Sequence, residues 1–293
     1  MTLQLLKDRA VTYVRLMRLH RPIGTLLLLW PVLWALWIAS SGSPDPKVLI
    51  VFILGTIGMR SAGCVINDFA DRNFDGAVDR TKDRPFARGS VSEIEALVLF
   101  AILIALSGLI VLLMNKLTIQ LAFVAVALAI IYPFMKRYTY LPQVFLGLAF
   151  GWGIPMAFAA QIGSVPNIAW ALLATAVLWA LIYDTQYAMV DREDDLKIGI
   201  KSTAILFAET DREFVGAFQI VMLFGLGIVG REAQLGWPFA VALLVCAGLA
   251  TYQQYLIHSR MPEQCFKAFM NNNWYGAVVF VGIAASYKLA EFS

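Results

Sequence analysis

Two short runs concentrate the residues able to do chemistry. Asn67, Asp71 and Asp75 follow at steps of four in N-D-F-A-D-R-N-F-D, and Asp184, Asp191 and Asp195 recur at seven and then four in Y-D-T-Q-Y-A-M-V-D-R-E-D-D. On an α-helix these steps put each set on one face. Asp68, three before Asp71, flanks the first face, and Arg60, seven before Asn67, lies two turns deeper on it. A carboxylate at the centre of a membrane span costs roughly 2.5–3.5 kcal/mol, less toward the interface, and like charges four residues apart repel. Something positive must offset these six acids. Magnesium suits them, because it takes oxygen ligands, keeps waters and completes its shell with substrate phosphates.

Bases cluster beside the acids. Arg72, Arg80, Lys82, Arg84 and Arg88 follow the first run, Lys197 and Lys201 the second, and Tyr132, Lys136 and Arg137 stand in Y-P-F-M-K-R. Acids and bases together suit a metal with a diphosphate; the plainer alternatives are the positive-inside rule and, for Tyr132, Lys136 and Arg137, an anchor at the membrane interface. For either acidic run alone, a solvated helix end with Arg partners is the plain reading. Two runs in parallel positions, one headed by Asn and joined by an Arg inside an apolar stretch, argue against it. That Arg60 either pairs with Asp184 or a neighbouring acid, or recognises an anionic organic substrate.

The elements that position these residues are membrane helices. Of 293 residues, 60% are hydrophobic and 15% charged, and the mean hydropathy is +0.71, which a water-facing surface does not fit. Apolar stretches at 23–39, 48–69, 94–114, 117–134, 141–160, 167–188, 214–230, 237–257 and 273–290 predict an all-α membrane protein of nine transmembrane helices around a central cavity. Residues 1–22, with basic residues between apolar ones at helical spacing, predict an interfacial amphipathic helix ahead of a single polytopic domain, 23–293. The run from Ile23 is long for a signal segment and is read as a retained span. The Trp-rich first span and F-G-W-G-I-P in the fifth suggest packing and a kink, or the wall of a greasy channel.

Lys and Arg outside the stretches fall eighteen to one side, which includes the N-terminus, and four (Lys47, Lys116, Arg231, Lys288) to the other. That bias sets the N-terminus, and with it both acidic runs, toward the cytoplasm. A net charge of +3 with scattered bases excludes a nucleic-acid partner. Cys64, Cys246 and Cys265 form no CxxC, so neither a disulfide framework nor a zinc site is expected, and with His20 and His258 they read as packing and interface residues.

With these residues the chain resembles the UbiA superfamily of intramembrane prenyltransferases: Asn67 to Asp75 match its N-D-x-x-D-x-x-x-D motif and Asp191 to Asp195 its D-x-x-x-D motif. The likeness runs through RPIGTLLLLWPVLWALW, YPFMKRYTYLPQV, YDTQYAMVDREDDLKIGIKSTAILF and CFKAFMNNNWYG, nearly the whole chain. It implies nine helices around a cavity in a bacterial inner membrane, Mg2+, a polyprenyl diphosphate donor and an aromatic acceptor, 4-hydroxybenzoate. It further implies that Asn67, Asp68, Asp71, Asp75, Asp184, Asp191 and Asp195 hold the metal. Asp71, Asp75, Asp191 and Asp195 would be catalytic, Arg72, Arg84, Tyr132, Lys136 and Arg137 would hold the diphosphate, and Arg60 and Asn67 would meet the aromatic acid. Rival readings are another aromatic acceptor, a non-catalytic scaffold, and a cation-coupled transporter, since intramembrane acids also mark ion paths.

Overall fold

The computed structural model describes residues 3–72, 81 and 83–291, so Asp75, Arg80 and Lys82 lie outside the described residues. The described chain is helical, with no strand: α1 Leu3–Leu16, α2 Ile23–Ala39, α3 Pro46–Asp71, α4 Glu93–Val111, α5 Lys116–Met135, α6 Pro142–Gly151, α7 Gly153–Ile162, α8 Asn167–Ile198, α9 Thr203–Phe207, α10 Asp211–Glu232, α11 Trp237–Ile257 and α12 Pro262–Ala290. Among the described residues seven segments are long and apolar enough to cross a membrane, including α3, α8 and the α6–α7 pair taken as one. The 17-residue α2 is a shorter apolar helix.

Local chemistry sets the ends. The Asp45 carboxylate accepts from Lys47 N at 2.7 Å and Val48 N at 3.1 Å ahead of Pro46, which needs no amide partner at the first helical position. Ser92 and Glu95 cap α4 reciprocally, at 3.2 and 3.3 Å. α8 stops at Gly199, whose φ of 72° a side chain would resist. α6 and α7 divide at Trp152, between two glycines, where the sequence led us to expect a kink; a methyl on Gly153 would strike Val32, and one on Gly151 would strike Leu173.

α8 is the centre of the packing. Its Trp179 faces Trp34 of α2 at a ring-centroid distance of 5.1 Å, and Gly276 of α12 lies so close to Trp30 and Trp179 that no side chain fits. Beneath these rings the amides pair with one another. Trp179 Nε1 donates to Asn272 Oδ1 at 3.0 Å, Asn272 Nδ2 to Gln186 Oε1 at 2.8 Å, and Gln186 and Gln219 both donate to Gln253 Oε1, at 3.0 and 2.9 Å. In so apolar a setting each unmet amide would be costly, so this ladder fixes how α8, α10, α11 and α12 register.

Several boundaries differ from the hydropathy reading. α8 runs ten residues past 188 and α12 begins eleven before 273, because their polar residues find partners and the helix continues. α1 ends at Leu16, short of residue 22. It is tied down by Glu95, which accepts from Tyr13 Oη at 2.5 Å and Arg9 Nη1 at 3.2 Å. That hydrogen bond holds the Tyr13 phenol above its ordinary value.

Candidate active site

A helix needs about 20 residues to cross hydrocarbon, and at 1.5 Å per residue α3 and α8 run for roughly 39 and 48 Å. Both therefore exceed that length, and Asn67 and Asp71, like Asp191 and Asp195, fall in their C-terminal parts. Asn67 and Asp71 of α3, and Asp184, Asp191 and Asp195 of α8, line one cavity of about 1190 Å³. Tyr132 and Lys136, at the end of α5, and Arg84 share its wall. Away from the acids the lining is mostly apolar, from α2, α4, α5 and α6.

Asp71 is the best-defined acid. It is 3% exposed; Lys136 Nζ lies 2.6 Å from its Oδ2 and Asn67 Nδ2 3.3 Å away, while its Oδ1 is buried with no protein partner. A buried carboxylate oxygen left over in this way is what a cation would satisfy. Among the described residues no three His, Cys, Asp or Glu gather closely enough to hold an ion by themselves. The donors are all hard oxygens spread along one wall, which fits magnesium, whose shell waters and phosphate oxygens complete. That is the extent of the fit.

Three expected residues face elsewhere. Asp68 is 1% exposed and does not line the cavity; its Oδ1 accepts from Arg18 Nη2 at 2.5 Å and Arg84 Nη1 at 3.3 Å. Arg72 turns to Glu93 at 3.1 Å and over the Phe69 ring at 4.5 Å. Arg137 donates to the Ala70 carbonyl and lies 5.4 Å over Phe134. Each follows a cavity residue by one position, and one step turns the side chain about 100° round the helix. Asp75 is the expected residue on which nothing is described.

Arg60 lines the cavity beside Gly24, with its guanidinium carbon 5.7 Å over the Phe150 ring, and among the described residues it makes no ion pair or hydrogen bond. The internal pair with Asp184 is not what the side chain does. A methyl on Gly24 would collide with the guanidinium. Sequence reasoning missed Arg18, Arg21, Tyr183 and Tyr187, all on the wall. The arginines were hidden among the bases of the N-terminal helix; the tyrosines, one turn apart beside Asp184, carried a spacing signal that could have found them.

A cavity with acids at one end, a lone guanidinium deeper in and greasy walls beyond defines a class, and comparison supplies its family. A model of the UbiA prenyltransferase family matches residues 28–276, and the chain belongs to that family. It is 60% identical over 289 residues, 99% of both chains, to the 4-hydroxybenzoate octaprenyltransferase of Alkalilimnicola ehrlichii. It is 59% identical over 284 residues, 97% of both chains, to that of Methylococcus capsulatus. Among solved structures, a UbiA homolog from Aeropyrum pernix K1 superposes with a TM-score of 0.78 at 22% identity, covering 92% of this chain and 99% of that one. A UbiA homolog from Archaeoglobus fulgidus bound to GPP and Mg2+ gives 0.71 at 20% identity over the same shares. These likenesses show the fold.

Proposed function

We infer that this chain transfers a polyprenyl group, octaprenyl in its relatives' name, from polyprenyl diphosphate to the ring carbon ortho to the hydroxyl of 4-hydroxybenzoate, a step of ubiquinone biosynthesis. The observation that carries this is the meeting of Asp71 and Asn67 with Asp184, Asp191 and Asp195 in one cavity that also holds Lys136, Arg84 and Arg18 on its wall, Arg60 deeper in and a largely apolar remainder. Relatives that share more than half of its residues bear that activity in their name. The transporter reading has no such support.

Asn67, Asp71, Asp75, Asp184, Asp191 and Asp195 are the residues that would hold magnesium, which when bound withdraws charge from the diphosphate oxygens and eases departure of the leaving group. Lys136, Arg84 and Arg18 neutralise the outer oxygens, and Tyr132 adds a hydroxyl on the same wall. The allylic C–O bond breaks, the diphosphate leaves with the electron pair, and the carbon ortho to the phenol attacks the cationic prenyl end. The ring proton passes to a carboxylate of the first run or to the departing diphosphate. Arg60 pairs with the acceptor's carboxylate and Asn67 faces its ring. Apolar walls keep water from the cation, and the tail extends between helices toward lipid.

The same reading makes the chain one polytopic domain, 23–293, of nine spans behind an N-terminal interfacial helix, in a bacterial inner membrane with the site open to the cytoplasm. Mass spectrometry of membranes given labelled 4-hydroxybenzoate, magnesium and a series of polyprenyl diphosphates tests it. The expected result is a labelled product heavier by one prenyl chain and absent after chelation; flux of ions or acceptor without product would overturn it.

A further inference from the structure

Where α1 gives way to α2 the chain reverses, and the reversal breaks a local rule. Leu19 N donates to Val14 O at 3.1 Å, closing α1 five residues back, and the residue that must turn left-handed for this is Arg18, at φ 54°. Glycine is the usual occupant of such a position because a β-carbon is crowded there. An arginine in that conformation persists only where the surroundings hold it. What holds it is Asp68, one position round α3 from Asn67, whose buried Oδ1 takes both the Arg18 and the Arg84 guanidinium.

Both arginines stand on the cavity wall and Asp68 does not. The two come from opposite sides of the first acidic run in sequence, one ahead of α2 and one after α3, and share no helix. One carboxylate fixes both, and the cost of its burial is met by the two charge-assisted bonds. Glu95 secures the other end of the strap through Arg9 and Tyr13.

Resting on the diphosphate chemistry inferred above, we propose that Asp68 is a positioning residue and not a metal ligand: it clamps Arg18 and Arg84 together at the cavity mouth, presenting two guanidinium groups to the donor's diphosphate. The strained turn at Arg18 is the structural signature of that clamp.

The test uses the full chain in nanodiscs, with donor, acceptor and magnesium titrated separately and inorganic pyrophosphate binding measured in the presence of magnesium without turnover. Asp68→Asn keeps the side chain's shape and removes its charge; Arg18→Gly relaxes the turn and removes one guanidinium. Each is expected to raise the donor KM and weaken pyrophosphate binding about tenfold, with acceptor KM and half-saturating magnesium within about twofold of the parent. The double variant should fall well short of the roughly hundredfold product of the two, since both act on one clamp. A higher magnesium requirement in Asp68→Asn would make Asp68 a metal ligand and overturn the proposal, as would unchanged pyrophosphate affinity in Arg18→Gly. If Asp68→Asn fails to fold, Arg18→Gly, which suits its turn, decides alone. A parent protein that binds pyrophosphate but forms no prenylated product would overturn the reaction inferred above, while the ratio of binding constants would still judge the clamp.

Discussion

A guanidinium set among apolar side chains is costly unless a counter-charge meets it. Among the described residues Arg60 makes no ion pair or hydrogen bond and has the Phe150 ring and the close backbone of Gly24 beside it; on the function proposed above, its counter-charge is an anion that arrives with substrate. Arg60→Ala is expected to raise KM for 4-hydroxybenzoate by roughly thirtyfold, about 2 kcal/mol, the low end for removing one partner of a buried charge pair. The donor KM should move far less, and equal effects in steady-state kinetics would instead assign Arg60 to the diphosphate. Gly24→Ala should act in the same direction more weakly, because its methyl displaces the guanidinium without removing it. Asp71 makes the complementary case. Asp71→Ala strands the Lys136 ammonium as well as removing an oxygen donor, so turnover should fall by at least a hundredfold, and near-normal turnover with magnesium would dissolve the site. Steps of four made Asn67, Asp71, Asp191 and Asp195 legible in the sequence. Asp68 and Arg72 lie off the cavity wall because a single residue step decides between the cavity and a neighbouring helix, and motif spacing does not carry that distinction.

At the scale of elements, the segment that matters most is the end of α8, where Asp191 and Asp195 flank Arg192 on a helix longer than a span requires. Arg192 bonds to the buried Asp211 at the start of α10 and to the carbonyls of Ala204 at 2.8 Å and Ala208 at 3.2 Å. Arg260, in the turn between α11 and α12, reaches the same carboxylate at 3.0 Å. One acid thus joins α8, α10 and the α11–α12 turn around the second acidic run. Removing it would leave two arginines facing a buried void, and Asp211→Ala is expected to destabilise the protein by roughly 3–5 kcal/mol. Thermal unfolding in detergent reads this as a large fall in Tm; a Tm within a degree or two of the parent would mean that the chain closes over the gap without it. Apolar runs revealed where helices lie, since hydropathy reports burial in lipid directly. They could not reveal that α8 and α12 continue through polar residues, because those residues find partners distant in sequence, Asp211 for Arg192 of α8 and Gln253 and Trp179 for Asn271 and Asn272 of α12.

The whole molecule determines where a long tail can go, and this the sequence could only suggest. Almost nothing of α4 or α5 is buried; α4 leans on α3, and α5 on α6 and α7. Between them the cavity wall continues as small and aliphatic side chains, among them Ala105, Gly108, Ala122 and Ala125. Gly55 also faces this space, and a β-carbon there would meet nothing within 4 Å. It lies twelve residues, about 18 Å of helix, from Asn67, so it sits beside the distant part of the tail, far from the reacting end. Gly55→Phe should therefore fill the channel without disturbing the acids. With geranyl diphosphate, turnover is expected within about twofold of the parent, while with octaprenyl diphosphate kcat/KM should fall at least tenfold, the loss appearing at the shortest chain that reaches the phenyl ring. A uniform loss at every chain length would indicate damage to the diphosphate end instead. No loss at any length would place the tail on another path out of the cavity, leaving the acidic site intact but the slot between α4 and α5 without a role in chain length.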